Sequence, residues 1–267
     1  MAGQQRPTWD ARGQHFLRSR QLAASLVAEA KLGNSELVLD IGGGTGVLTR
    51  ALVHAGANVL VIERDPVLAG QLRTHLGHLD AVTVVEGDAL EQRLPTESFA
   101  VIANLPFARS GAILARLLSD PRVPLRGMNV IVQWEFAVKH AAVWPTTLRG
   151  TYWRAWYEVA VTRRLDRSAF APAPSVDAAV LQFERRANPA LPPAWHEAYW
   201  RFLSDAFATQ RPIRRCLRPV LSAQQIKRLA LALGFGLDAR ARDLDAEQWA
   251  KLFAFTKFGP PRQQQRD

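Results

Sequence analysis

The sequence predicts an α/β protein, a doubly wound Rossmann-like sheet followed by a small all-helical domain, on three observations. Short Val-, Leu- and Ile-rich runs alternate with helical patterns through the first half, a glycine-rich turn follows the first run, and the last third carries helical patterns alone. The runs Leu37–Ile41, Asn58–Glu63, Val82–Glu86, Phe99–Ala103 and Met128–Trp134 lack polar alternation, as strands buried on both faces do. Between them Val47–His54, Pro66–Leu76 and Gly111–Leu118 read as helices, with an earlier amphipathic helix at Arg20–Lys31. Two later β-type runs, Trp153–Thr162 and Ala178–Phe183, flank a Pro-rich loop and can pair antiparallel to finish the sheet edge. Past Asn188–Pro193 only helical patterns follow, at Ala194–Ala208, Ser222–Leu233 and Asp245–Phe255. The expected organisation is a ligand-binding domain over 1–187, a helical domain over 188–259 and a polar, disordered tail over 260–267.

Composition narrows the function classes. The 267 residues include 34 Lys and Arg against 24 Asp and Glu, a net charge of +10, and 48% apolar residues suffice to fill the cores. The excess is uneven: residues 185–267 hold 15 basic and 7 acidic side chains, a net +8, and residues 1–184 a net +2. Cys216 stands alone, which excludes an internal disulfide, and with six scattered His no metal site is expected. The opening Met1–Pro7 lacks the apolar stretch of a signal peptide, and no uncharged run approaches membrane-spanning length, so a cytoplasmic protein is expected. Nothing in the sequence demands an oligomer, and a monomer is expected.

Asp40-Ile41-Gly42-Gly43-Gly44-Thr45-Gly46 joins the first strand to a helix, a context in which glycine amides approach a ligand at a helix N-terminus. A glycine turn alone also serves as a bare strand-to-helix connection. Counting from Gly42, the sixth position is Val47 rather than the glycine of a dinucleotide fingerprint, which suits a ligand without a pyrophosphate. Glu63 closes the second strand 21 residues beyond Gly42, where a carboxylate can accept both hydroxyls of a ribose, and Arg64 follows it. Asp88 follows the third strand, where it and the backbone at Ala89 can hold an adenine amine. Each acid alone also fits a solvated carboxylate or a helix cap. In order and in register, three acids at successive strand ends favour a cationic, adenosine-bearing ligand.

Asn104-Leu105-Pro106-Phe107 ends the fourth strand. An exocyclic base amine is a poor nucleophile because its lone pair is delocalised into the ring. An Asn oxygen and a neighbouring backbone carbonyl that accept its two N–H bonds would draw the nitrogen towards tetrahedral geometry. Pro106 stiffens the turn so that Leu105 keeps its carbonyl inward, and Phe107 offers a face on which an extruded base can stack. Phe170 is a second aromatic able to close over that base, or else a core residue under a loop.

The ordered set Gln14-His15-Phe16-Leu17, Asp40–Gly46, Glu63, Asp88, Asn104–Phe107 and Phe170-Ala171-Pro172-Ala173-Pro174-Ser175-Val176-Asp177 resembles the ribosomal RNA adenine N6-methyltransferases, over about Gln14 to Phe255. That superfamily contains the Erm macrolide-resistance enzymes and the small-subunit dimethyltransferases of the KsgA type. The resemblance implies a class I methyltransferase sheet, S-adenosylmethionine as methyl donor and a helical C-terminal domain. It places Gln14, His15, Leu17, Asp40, Gly42 and Gly44 around the methionine part of the donor, Glu63 at its ribose and Asp88 at its adenine. Asn104, Leu105, Pro106 and Phe107 receive the target adenine, with Phe170 on its other side. Phe107 in place of Tyr, the compact helical domain and the ending Asp245–Phe253 resemble the Erm branch, which methylates large-subunit (23S) ribosomal RNA. Asp40 where many relatives carry Glu, and Gly43-Gly44 in place of a Pro- or Ser-containing turn, depart from the pattern at the donor loop.

The expected reaction is methyl transfer by positioning, which requires neither Cys216 nor a strong general base because the amine becomes acidic only after transfer. Ribosomal RNA is the expected partner, gripped by Arg211, Arg214 and Arg215 within an acid-free stretch reaching Arg228, and by Arg163, Arg164, Arg109 and Arg116 nearer the catalytic turn. Rival readings are a small-subunit rRNA dimethyltransferase, a non-catalytic nucleic-acid-binding relative and a DNA adenine methylase.

Overall fold

A computed structural model describes residues 14–258. The opening Met1–Pro7 and the tail 260–267 lie outside the described residues. The chain divides into two compact units, one holding the residues up to Ser119 with Val123–Val138 and Ala160–Glu184, the other Asp120–Arg122, Lys139–Val159 and the residues from Arg185 onward.

The first unit is built on a seven-stranded sheet. Its elements run β1 (Phe16–Leu17), α1 (Arg20–Glu29), β2 (Leu37–Ile41), α2 (Val47–His54), β3 (Asn58–Glu63), α3 (Pro66–Leu76), β4 (Val82–Glu86), β5 (Phe99–Asn104), α4 (Ser110–Leu117) and β6 (Leu125–Gln133). After α5 (Trp134–Ala141) and α6 (Leu148–Trp153) come β7 (Tyr157–Leu165), β8 (Phe170–Ala171) and β9 (Ala178–Arg185). The strand order is β4-β3-β2-β5-β6-β9-β7, parallel from β4 to β6, with β9 antiparallel to β6. The chain winds outward from β2 through β3 to β4, then returns to β5 on the other side, so a switch point falls between β2 and β5. Val38, Leu39, Val61, Val101 and Val130 are fully buried, as parallel strands covered on both faces require.

Local chemistry fixes the helix starts around the switch point. Asp65 caps α3 by accepting from Val67 N–H at 2.9 Å, and Pro66 takes the first helical position, where no N–H is needed. Gly46 enters α2 with φ +76°, a left-handed conformation that favours glycine.

Two expectations need correction. Trp134 begins α5 rather than ending a strand, and its N–H donates to Asp177 O at 2.9 Å. The run expected as a strand from Trp153 starts only at Tyr157, because Thr147 caps a helix ahead of it by accepting from Gly150 N–H at 3.0 Å. Tyr152, Trp153 and Trp156 are all buried, and a run of buried aromatics has no period to separate helix from strand. β7 and β9 are neighbours at the sheet edge.

The second unit contains α6, α7 (His196–Phe207), α8 (Ile213–Cys216), α9 (Ala223–Leu233) and α10 (Ala246–Phe258). It therefore begins earlier in the chain than the helical domain expected from 188, since residues 139–159 pack with it. Its core is aromatic: Tyr152 meets Trp156 at 4.9 Å between ring centroids, and Tyr199 meets Phe253 at 5.2 Å. Ser222 and Gln225 form a capping box at the start of α9, and Gly234 ends it with φ +74°. No helix among the described residues is long and apolar enough to cross a membrane.

Trp156 is 1% exposed and donates its indole N–H to Leu191 O at 2.9 Å. Trp156→Ala should therefore lower the unfolding free energy by about 3–5 kcal/mol, through the cavity and the stranded carbonyl. A urea titration followed by circular dichroism measures it, and a loss below about 1 kcal/mol would contradict the packing.

Candidate active site

A cavity of about 490 Å³ opens at the carboxyl ends of β2, β3, β4 and β5, where open α/β sheets bind ligands. Gln14, His15, Gly42, Glu63, Arg64, Asp88, Ala89 and Asn104 line it, as do Leu105, Pro106, Phe107 and Arg109. Leu17, Asp40, Gly44 and Phe170 were expected there but are buried and not among the lining residues. Sequence reasoning missed Ile62, Asp65, Pro66, Ala108 and Ile113 as site residues, and quoted Phe16, Ile41 and Gly87 only as parts of their motifs. The helix starting at Pro66 was read from the sequence, and what went unread is that its Asp65-Pro66 start faces the cavity.

Glu63 organises the β2 and β3 ends. One carboxylate oxygen accepts from Gly44 N–H at 2.9 Å and the other from Asp65 N–H at 2.8 Å. Each oxygen keeps a further lone pair, so the group can still accept from hydroxyls in the cavity. Gly44 thus acts through Glu63. A Cβ on it would lie 2.7 Å from the Phe16 ring, and its φ is +54°, so both space and backbone call for glycine. Asp40 lies beneath the turn, 1% exposed, with Thr49 Oγ1 donating to it at 2.7 Å. Burial pushes its pKa up to about 7, the Thr49 hydroxyl opposing and the Glu63 charge adding to the rise.

Asp88 is held from two sides. Leu90 N–H donates to Oδ1 at 2.9 Å, and Arg109 Nη1 lies 2.8 Å from Oδ2. The Leu90 N–H above all, with the Arg109 guanidinium, holds the carboxyl below the usual carboxylate range.

Asn104 carries the chemical asymmetry of the site. Its Nδ2 donates to His15 O at 2.7 Å, which fixes the amide orientation, because the reverse would set two oxygens against each other. Its Oδ1 is buried and finds no partner among the described residues, and neither does Gln14 Oε1. Unpaired buried acceptors on a cavity wall are costly and point to a missing hydrogen-bond donor. Phe107 lies beside them, 5.6 Å from the His15 ring and edge-on to Phe170 at 6.2 Å. Phe170 is 1% exposed, in a core cluster with Leu17, Leu26 and Val180, so it supports Phe107 rather than facing the cavity.

Two motifs distant in sequence meet here. β1 pairs antiparallel with β8, Leu17 opposite Phe170, and His15 Nδ1 lies 2.9 Å from Pro172 O.

The cations expected to grip RNA fall into two groups. Arg211, Arg214, Arg215, Arg218, Lys227 and Arg228 are exposed, Arg214 pairing with Asp238 at 2.8 Å. The others are engaged within the first unit: Arg163 with Ser25 and Glu29, Arg164 with Asp177 and over the Trp134 ring, Arg116 with Gln92 O, and Arg109 with Asp88.

A parallel-centred sheet with this strand order and an acid-lined crevice at its switch point defines a class I methyltransferase domain. Over residues 10–257 the chain matches the ribosomal RNA adenine dimethylase family, and it belongs to that family of methyltransferases. It is 31% identical to the mycinamicin-resistance protein MyrB of Micromonospora griseorubida, covering 90% of this chain and 76% of that protein. It is 32% identical to ribosomal RNA small subunit methyltransferase A of Thermosynechococcus vestitus, covering 90% of this chain and 93% of that protein. The crystal structure of the 23S rRNA methyltransferase ErmE superposes with a TM-score of 0.79 at 29% identity, over 91% of this chain and 99% of that one.

The Asp40 environment sets a pH dependence. Between about pH 4 and 7 the folded chain keeps a proton that the unfolded chain, with its ordinary carboxylate, has released. Its contribution to stability therefore falls as pH rises through that window and is level above it. Asp40→Asn should flatten this limb in melting temperatures taken from pH 4 to 8, and an unchanged profile would contradict the assignment.

Proposed function

We propose that the protein transfers a methyl group from S-adenosylmethionine to the N6 amine of one adenine in large-subunit (23S) ribosomal RNA, and thereby confers macrolide-type resistance. The observation that carries the chemistry is the unpaired Asn104 Oδ1, buried in the wall of an acid-lined cavity with Phe107 beside it. The cavity fits the methyl donor by its residue chemistry: Glu63 and Asp88 offer carboxylate acceptors for a ribose and an adenine amine, and Gln14 Oε1 is a further unpaired acceptor. When bound, S-adenosylmethionine supplies an electrophilic methyl on a sulfonium. Asn104 Oδ1 accepts one N–H of the target amine and draws its lone pair out of the ring, while His15 O keeps the amide from rotating. Phe107 stacks the extruded base, its ring held by His15 and Phe170. The exposed cations from Arg211 to Arg228 contact phosphates, and an adenine in a loop or bulge costs less to extrude than a paired one.

The large-subunit assignment draws on Phe107 and on the likeness to MyrB and ErmE. The comparable identity to a small-subunit methyltransferase favours the second reading, dimethylation of small-subunit rRNA. Incubating the protein and labelled methyl donor with each deproteinised rRNA, then analysing fragments by mass spectrometry, separates the two. Methyl-adenine confined to large-subunit fragments is expected, and label only in the small subunit overturns the choice.

Asn104→Ala should lower kcat about 100-fold or more with the methyl-donor Kd changed little. Single-turnover rates and calorimetry measure the two, and unaltered methylation would remove Asn104 from its role.

A further inference from the structure

We infer that Arg109 is a positioning residue, fastening the Asn104–Phe107 turn to the acid that reads the methyl donor's adenine, rather than a phosphate contact for RNA. This rests on the methyltransferase reading above. In the sheet, β4 and β5 are separated by β3 and β2, so at a strand spacing of about 4.8 Å their tips stand roughly 14 Å apart. The loops that follow them are nonetheless joined. Arg109 ends the 3-10 turn Phe107–Arg109, its N–H donates to Pro106 O at 2.9 Å, and its guanidinium reaches Asp88 Oδ2 at 2.8 Å.

The direction of the side chain decides between the roles. Arg109 lines the cavity with Asp88, and the two side chains are 30% and 21% exposed. A phosphate would have to displace a carboxylate already in place. Asp88 Oδ1 is occupied by Leu90 N–H, so the ion pair fixes the carboxylate plane while each oxygen keeps a lone pair for an amine. A second arginine braces the same loop, since Arg116 of α4 donates to Gln92 O. One contact thus sets the position of the adenine acceptor and of the turn that holds the target amine.

The test compares wild type, Arg109→Ala and Arg109→Lys by calorimetry with S-adenosylmethionine, by steady-state kinetics, and by RNA affinity across salt concentrations. Loss of the pair should raise the methyl-donor Kd about fivefold and lower kcat. Lys, which keeps the charge, should recover most of both. The slope of log RNA affinity against log salt should stay at the wild-type value. An unchanged methyl-donor Kd with a slope reduced by about one would make Arg109 a phosphate contact and overturn the inference. In an Asp88→Asn background Arg109→Ala should add no further loss of methyl-donor affinity, and an additive loss would equally overturn it. Wild-type protein that binds no S-adenosylmethionine would overturn the methyltransferase reading itself, a result distinct from either.

Discussion

Glu63 accepts two backbone N–H groups, from Gly44 and Asp65, and through them sets the geometry of everything at the mouth of the sheet. The bond to Gly44 holds the glycine turn against β3. Because Gly44 has no side chain, the Phe16 ring can lie on it, and the chain entering β1 is brought over the strand tips. His15, the residue before Phe16, then offers its carbonyl to Asn104 Nδ2, and that bond leaves Asn104 Oδ1 unpaired on the cavity wall. A carboxylate at the end of β3 is thus linked to the amide at the end of β5 by contacts that each restrict the next. Preorganisation of this kind is how a site without a strong acid or base gains rate.

The electrostatics divide along similar lines. The cavity carries Glu63, Asp65 and Asp88 against Arg64 and Arg109, a net negative setting that favours a cationic ligand with a neutral base. Arg211, Arg215, Arg218, Lys227 and Arg228 are exposed in the second unit, in a stretch of sequence without an acid. In the proposed function a polyanionic substrate and a sulfonium-bearing one need opposite potentials, and the two units carry charge of the matching signs.

Much of the frame was legible in the sequence because parallel strands read as unbroken apolar runs. Leu37–Ile41, Asn58–Glu63 and Val82–Glu86 fall where the pattern put them, and the residues that close them form the cavity. The local chemistry of one turn is also visible, so Asn104–Phe107 could be read as an amine-binding turn. What pattern could not show was pairing across long separations. The β1–β8 ladder brings residues 16–17 against 170–171, a contact with no local signal. It is also why Phe170, a candidate for the target base, lies in the core. Arg109, Arg116, Arg163 and Arg164 looked like free cations because sequence gives charge but not partner, and each has one within the first unit. The second unit's reach back to residues 139–159 was hidden by aromatic density, which suits helix and strand alike.

The placement of Phe170 changes what Phe107 is asked to do. Two opposed rings facing the cavity would clamp a base from both sides and would have to part to admit it. In the proposed function a buried Phe170 edge-on to Phe107, with the His15 ring tilted 5.6 Å from it, instead holds a single platform whose orientation is set before any base arrives. An edge-to-face pair is worth about 0.5–1.5 kcal/mol beyond its buried area, enough to restrain one rotamer. Base stacking on such a platform tolerates any purine or pyrimidine. In the proposed function base selection then falls to Asn104 Oδ1, an acceptor that the amine of adenine or cytosine satisfies and the carbonyl oxygen of guanine or uracil in the same place would repel.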